Sequence, residues 1–226
     1  MIVSNKHKFI FLKNRKIAGS TFESLVSPHL GPDDVCTGSP TDGTPRLNDK
    51  TGMGHMSCHE IKQRYPEQWD AYPKIAIERN PWDKCVSAFN WHSVIKPNLP
   101  GIAEQDFGLY LRSNAHLLPT DWALYADDNA PVVDVFQYGD MATLYSWMRT
   151  VIGIDIPDEL WHNTKLKATA RKHYTEYYKP ADVDLVAELF HNEIRVFGYD
   201  YGTINQIDGV MKRRLKEKYN FTFHPQ

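Results

Sequence analysis

Near the start of the chain, Lys13, Arg15 and Lys16 lead into Ile17-Ala18-Gly19-Ser20-Thr21. Three cations ahead of a small-residue turn that opens a helix suit an anion. Successive backbone N–H groups and the positive helix N-terminus hold oxyanions, Lys16 adds a mobile point charge, and Ser20 and Thr21 add hydroxyl donors. The same run also reads as a solvated basic turn before a helix capped by Ser20 or Thr21. A Walker-type loop would need GxxxxGK[ST], and here the lysine precedes the glycine, which argues against an ordinary ATP or GTP hydrolase.

A second run, Ile77-Glu78-Arg79-Asn80-Pro81-Trp82-Asp83-Lys84-Cys85-Val86-Ser87-Ala88-Phe89, sends an arginine off the end of a strand just before a helix begins. Ser87 follows about two helical turns later, so Arg79 and Ser87 could reach a second phosphate. Arg79 could instead pair with Asp83. A third feature is Gly54-His55-Met56-Ser57, whose imidazole titrates near neutrality and suits a general base. A lone histidine also reads as solvated or structural, and His92, His162 and Glu60 are further candidate bases. His55, Cys58 and His59 stand at i, i+3 and i+4, a spacing three metal ligands could use, but no further paired ligand accompanies them.

These residues must be positioned by strands and helices. Lys8 to Leu12 reads as a strand followed by a helix from Ser20 to Val26. Lys74 to Glu78 is a second strand, followed by a helix that starts at Pro81 and runs to about Trp91. Val132 to Phe136 is a third strand, with helices over Ala142 to Val151 and Ala181 to Val196. Pro28 to Gly54, dense in Gly, Pro, Asp, Thr and Ser, reads as a long surface loop of the kind that shapes a binding site. Alternating strands and helices predict an α/β fold with a central parallel sheet flanked by helices. Ligands bind such sheets beyond the carboxyl ends of the strands, where both basic runs would lie.

Composition sets the frame. The chain has 226 residues, 42% hydrophobic and 24% charged, a globular balance expected to form one domain over residues 1–226. A net charge of −2 excludes a broadly basic surface for nucleic acid or anionic membrane, so an anionic ligand needs a local basic site. Three cysteines, Cys36, Cys58 and Cys85, without a CxxC pair suggest neither a disulfide framework nor a zinc knuckle. No apolar run approaches the ~20 residues of a membrane span, and the expected location is cytoplasmic.

At its two basic runs the sequence resembles the sulfotransferase superfamily, particularly the carbohydrate type that includes heparan sulfate 2-O-sulfotransferases and bacterial relatives. The family pattern PKTAGTS is similar to RKIAGST at Arg15 to Thr21, and RNPWDRxVSAY is similar to RNPWDKCVSAF at Arg79 to Phe89. Tyr177-Tyr178 and Phe197-Gly198-Tyr199 add a weaker C-terminal likeness. Arg15 stands where the family has proline, Ile17 where it has threonine, and the order of Ser20 and Thr21 is reversed.

The resemblance implies a P-loop-NTPase-like sulfotransferase fold and in-line transfer of a sulfuryl group from 3′-phosphoadenosine 5′-phosphosulfate, without a metal. The acceptor would be a small-molecule or saccharide hydroxyl, and the product adenosine 3′,5′-bisphosphate. It assigns the donor's phosphosulfate end to Lys16, Ile17, Ala18, Gly19, Ser20 and Thr21, its 3′-phosphate to Arg79 and Ser87, and the base to His55. Lys167 and Arg171, in the basic stretch 163–178, would close over the 3′-phosphate, unless that stretch is a solvated helical face. Trp82 would lie near the adenine or in the core. Segments 28–54 and 93–121 would shape the acceptor site, and 203–226 would form a basic tail. The rival readings are a small-molecule kinase, for which Asp134 would supply a Walker B aspartate, and a non-catalytic nucleotide-binding module.

Overall fold

The computed structural model describes residues 1–39, 43–164, 171–203 and 217–219. Lys167 and most of 203–226 therefore lie outside the described residues. Five strands form one sheet: β1 (Ile2–Ser4), β2 (Phe9–Leu12), β3 (Val35–Cys36), β4 (Lys74–Glu78) and β5 (Asp134–Gln137). Their spatial order is β3-β1-β2-β4-β5. β2, β4 and β5 are parallel, with Phe11 opposite Ile75 and Ile77 opposite Phe136. β1 runs antiparallel to both β2 and β3. The sheet is therefore mixed, which corrects the wholly parallel one expected.

The two missed strands are short, and a side chain distant in sequence organises them. Asp34 accepts from Ser4 Oγ at 2.6 Å, Asn5 N at 2.7 Å, Lys6 N at 3.0 Å and Gly31 N at 2.9 Å. One carboxylate thus ties the polar turn between β1 and β2 to the start of β3. The described residues of segment 28–54 thus include β3 and a pair of backbone hydrogen bonds between Cys36 and Leu47 at 2.9 Å, where an irregular loop was expected.

Helices cover the sheet, whose strand residues are almost all buried, as parallel strands between helical layers require. They are α1 (Gly19–Val26), α2 (Cys58–Arg64), α3 (Pro66–Ala71), α4 (Pro81–Ile95), α5 (Phe107–Ser113), α6 (Trp122–Tyr125), α7 (Met141–Trp147), α8 (Asp158–Asn163), α9 (Pro180–Leu189) and α10 (His191–Phe197). The helix read over 181–196 is two helices, broken where Phe190 leaves helical geometry at φ −114° and ψ 29°. Among the described residues no helix is long and apolar enough to cross a membrane.

α4 is the longest of these. Pro81 fits its first turn, where no N–H partner is needed, and the Asn80 side chain caps Trp82 N and Asp83 N. Its inner face buries charge. Lys84 Nζ donates to Glu78 Oε1 at 2.8 Å and lies 3.2 Å from Asp121 Oδ2, all three side chains being essentially inaccessible. Desolvation opposes the ammonium, but Asp121 and Glu78 outweigh it and hold its pKa above the ordinary value. Tyr125 OH and Asn14 Nδ2 donate to the other Glu78 oxygen.

Glu193 on α10 borders this network at 2% exposure, with a buried Oε1 that has no partner. Burial, reinforced by the Glu78 carboxylate, pushes its pKa from 4.5 up to about 7. The folded protein then binds a proton that the unfolded chain has released, so stability falls as pH rises from about 4.5 to about 7, by a total on the order of 3 kcal/mol. Glu193→Gln is expected to remove that slope and to be the more stable protein at pH 8. Urea midpoints measured from pH 4.5 to 8 check this; parallel slopes for the two proteins would refute it.

Candidate functional site: a basic cleft at the ends of the parallel strands

The chain segments that follow β2, β4 and β5 open into one cleft of about 620 Å³. Of the residues singled out in the sequence, Lys16, Ala18, Gly19, Ser20, Thr21, His55, Arg79, Ser87 and Arg171 all line it. Ile17 does not: its side chain is fully buried in the hydrophobic core, which accounts for an aliphatic residue there. Lys167 lies outside the described residues, as does the His162 side chain. The cleft also takes Thr37, Gly38, Ser39, Arg46, Gly52 and Gly54 from segment 28–54, and Leu117 and Pro119 from segment 93–121.

The loop between β2 and α1 is held in an unusual backbone conformation. Lys16 and Ala18 both adopt left-handed φ values, 63° and 61°, which cost non-glycine residues about 1–2 kcal/mol each. Such angles turn successive N–H groups toward a common centre. Ala18, not Ser20 or Thr21, is the N-cap residue of α1, and no side chain caps the helix. Its first internal hydrogen bond is Phe22 N to Ala18 O at 3.0 Å.

Partners outside the loop impose this shape. Asp121 accepts from Arg15 N and Arg15 Nε, each at 2.6 Å. Asn14 Nδ2 donates to Ile77 O on β4 at 3.0 Å, and Arg79 donates to Lys16 O at 3.1 Å. Lys13 crosses above Gly19 to reach Glu23 Oε2 at 2.5 Å, a carboxylate that also accepts from Thr37 Oγ1 and the Met1 amino group.

Arg79 makes the pairing with Asp83 and also reaches the cleft. It pairs with Asp83 at 2.5 Å, stacks on the Tyr138 ring at 4.3 Å and still lines the cleft. Asp83 also takes Arg171 at 2.5 Å, so one carboxylate gathers two guanidinium groups beside Ser87. Six cations line the cleft, and no Asp or Glu does among the described residues. With the chain at net −2, this is a local positive potential that focuses an anionic ligand.

His55 stands on the exposed rim with Nδ1 turned inward to Lys13 O at 2.7 Å. A carbonyl oxygen only accepts, so Nδ1 carries the proton and Nε2 keeps the lone pair. On this inward-facing ring desolvation dominates; with the Lys13 charge it lowers the pKa below the ordinary imidazole value, against the raising effect of the carbonyl. Two of the other candidate bases are engaged. His92 lines the cleft bonded to Tyr110 OH at 2.8 Å, and burial followed by Lys96, Lys16 and Arg15 drives its pKa down to about 4. Glu60 closes a capping box with Ser57 at the start of α2.

Among the described residues no group of three His, Cys, Asp or Glu is placed to hold a metal ion. His59 bonds Gln63 at 2.9 Å. Trp82 is a core residue that donates to Val183 O at 3.1 Å. Asp134 opens β5 at the end opposite the cleft and pairs there with Lys218, so it cannot serve a nucleotide beside Lys16. Tyr178 OH donates to Trp82 O at 2.8 Å, and Tyr199 OH to Gln137. The aromatic C-terminal residues thus dock α9 and α10 onto the cleft's supporting elements.

No family model, curated protein or solved structure matches the chain. The family resemblance rests on the sequence runs themselves. Sequence reasoning missed Arg46, Trp91, Tyr138 and Trp161, which also line the cleft. Only Trp91 carried a signal, because it follows Asp83 and Ser87 at helical spacing.

Gly19 tests the loop's construction. A Cβ there would sit 2.8 Å from Lys13 Cγ and 3.2 Å from Ile17 Cδ1, and Lys13 is anchored at both ends. Gly19→Ala is expected to destabilise the fold by about 1–3 kcal/mol and to weaken binding of inorganic pyrophosphate. Urea unfolding and a pyrophosphate titration check this, and wild-type behaviour in both would show that Lys13 is not held as described.

Proposed function

We propose that the chain is a sulfotransferase of the P-loop-NTPase-like kind, using 3′-phosphoadenosine 5′-phosphosulfate as donor and a small-molecule or saccharide hydroxyl as acceptor. The observation that carries this reading is convergence. Two basic runs some 60 residues apart and the Gly54-His55 segment meet in one cleft lined by cations and by no described carboxylate. A polyanionic nucleotide fits that inventory.

Bound there, the donor supplies an electrophilic sulfuryl group. Lys16 and the backbone N–H groups at the start of α1 bind the phosphosulfate end and stabilise charge on the leaving phosphate oxygen. Arg79, Ser87 and Arg171 bind the 3′-phosphate, with Asp83 aligning the two guanidinium groups from behind. His55 takes the acceptor hydroxyl proton on Nε2, the nitrogen that the Lys13 carbonyl leaves with its lone pair. The cleft-lining residues of the 28–54 and 93–121 segments face the acceptor.

Calorimetry tests the donor. Adenosine 3′,5′-bisphosphate is expected to bind at least tenfold more tightly than adenosine 5′-monophosphate, and Arg79→Ala to erase the difference; equal affinities in the wild type would refute the reading. Turnover tests the base. Because the His55 pKa lies below the ordinary imidazole value, the rate is expected to rise with pH through the acid range and level off before neutrality. His55→Ala should lose that rise and about 10²–10⁴-fold in turnover while binding the bisphosphate as wild type does. A variant that keeps wild-type turnover would remove His55 from the chemistry.

A further inference from the structure

We infer that Trp91 is a positioning residue for Lys16, holding the ammonium inside the cleft without neutralising it. Its relevance to catalysis rests on the transferase reading above. Asp83, Ser87 and Trp91 fall at i, i+4 and i+8 along α4, so successive turns present them on one face, about 6 Å apart. Asp83 gathers Arg79 and Arg171 at one end of that face. At the other end Lys16 Nζ lies over the Trp91 ring, 5.0 Å from its centroid.

Lys16 leaves the loop from a fixed point. Its backbone is left-handed at φ 63°, and Arg79 holds its carbonyl at 3.1 Å. Beyond that point four rotatable bonds separate a strongly hydrated ammonium from the backbone. The half-buried Trp91 indole, the ring type that attracts cations best, supplies a destination.

A ring suits this place better than a carboxylate. An aspartate or glutamate at position 91 would cancel the Lys16 charge and repel an anionic ligand. An indole attracts the cation through its quadrupole and leaves the full positive charge to act on whatever anion enters. That matches the rest of the wall, where no Asp or Glu lines the cleft among the described residues. Trp91 therefore does for Lys16 what Asp83 does for the two arginines, by a contact that adds no negative charge.

The test compares Trp91→Leu and Trp91→Phe in the full chain, each also combined with Lys16→Met. In wild type the Lys16 side-chain methylene protons, assigned by their loss in Lys16→Met, should be shifted upfield by the ring current. They should revert in Trp91→Leu and stay partly shifted in Trp91→Phe. Turnover with the phosphosulfate donor should fall on the order of tenfold in Trp91→Leu and recover in Trp91→Phe, with bisphosphate affinity changed less than about twofold. In the Lys16→Met background the Leu substitution should have no further effect on turnover.

Unshifted Lys16 resonances in wild type, or an equal turnover loss with and without Lys16, would overturn the inference. A loss of bisphosphate affinity as large as the loss of turnover would make Trp91 a binding wall and overturn it as well. Shifted resonances in a wild-type protein with no turnover would uphold the Lys16–Trp91 pairing and count against the transferase reading alone.

Discussion

The cleft depends on a lysine that never reaches it. Lys84, fully buried on α4, stands between Glu78 at the end of β4 and Asp121 ahead of α6. Removing one member of such a set leaves an uncompensated charge in the interior, typically costing about 3–5 kcal/mol, so the three elements are locked together. Asp121 extends the lock outward by accepting from both the backbone and the side chain of Arg15. Glu78 extends it sideways through Asn14, which also grips β4. The loop between β2 and α1 is therefore cast from behind, by charges outside the cleft lining.

That casting explains how two non-glycine residues in one short loop keep left-handed geometry. The intrinsic penalty at Lys16 and Ala18 is a few kcal/mol in total, and the contacts that oppose it are charge-assisted and largely buried. Arg79 is the member that both supports the loop and lines the cleft: its guanidinium holds Lys16 O, stacks on Tyr138 and pairs with Asp83. An arginine can do this because its donors fan out in a plane while the ring contact uses the face of that plane. A lysine in its place would keep the charge and lose the geometry.

Much of the cleft was legible in the sequence because its parts obey local rules. β2 with α1, and β4 with α4, each announce themselves by an apolar run, a polar junction and a helix start, and Pro81 fixes the second start to the residue. What stayed hidden depends on long-range contacts. β1 and β3 have three and two residues, too few for a period, and are organised by Asp34 from outside both strands. The antiparallel half of the sheet was invisible for that reason. At Ile17 motif position points to a contact through the backbone N–H alone, and its apolar side chain follows the commoner rule and enters the core. Asp121 carried no signal, since an aspartate in an irregular segment has no period to betray that it meets Arg15 and Lys84.

The placement of acids resolves the contrast between an acidic chain and a basic cleft. Lys13 is backed by Glu23, Arg15 by Asp121, Arg46 by Asp49, and Arg79 and Arg171 by Asp83. Each carboxylate lies behind its cation and contributes nothing to the described cleft lining. A cation paired from behind loses conformational freedom yet keeps donors directed forward, so it meets an anion already in position. Electrostatic sites that need no rearrangement on binding are the effective ones. Glu23, Asp121, Asp49 and Asp83 are therefore part of the basic cleft's architecture, because they hold its cations in place from outside its lining.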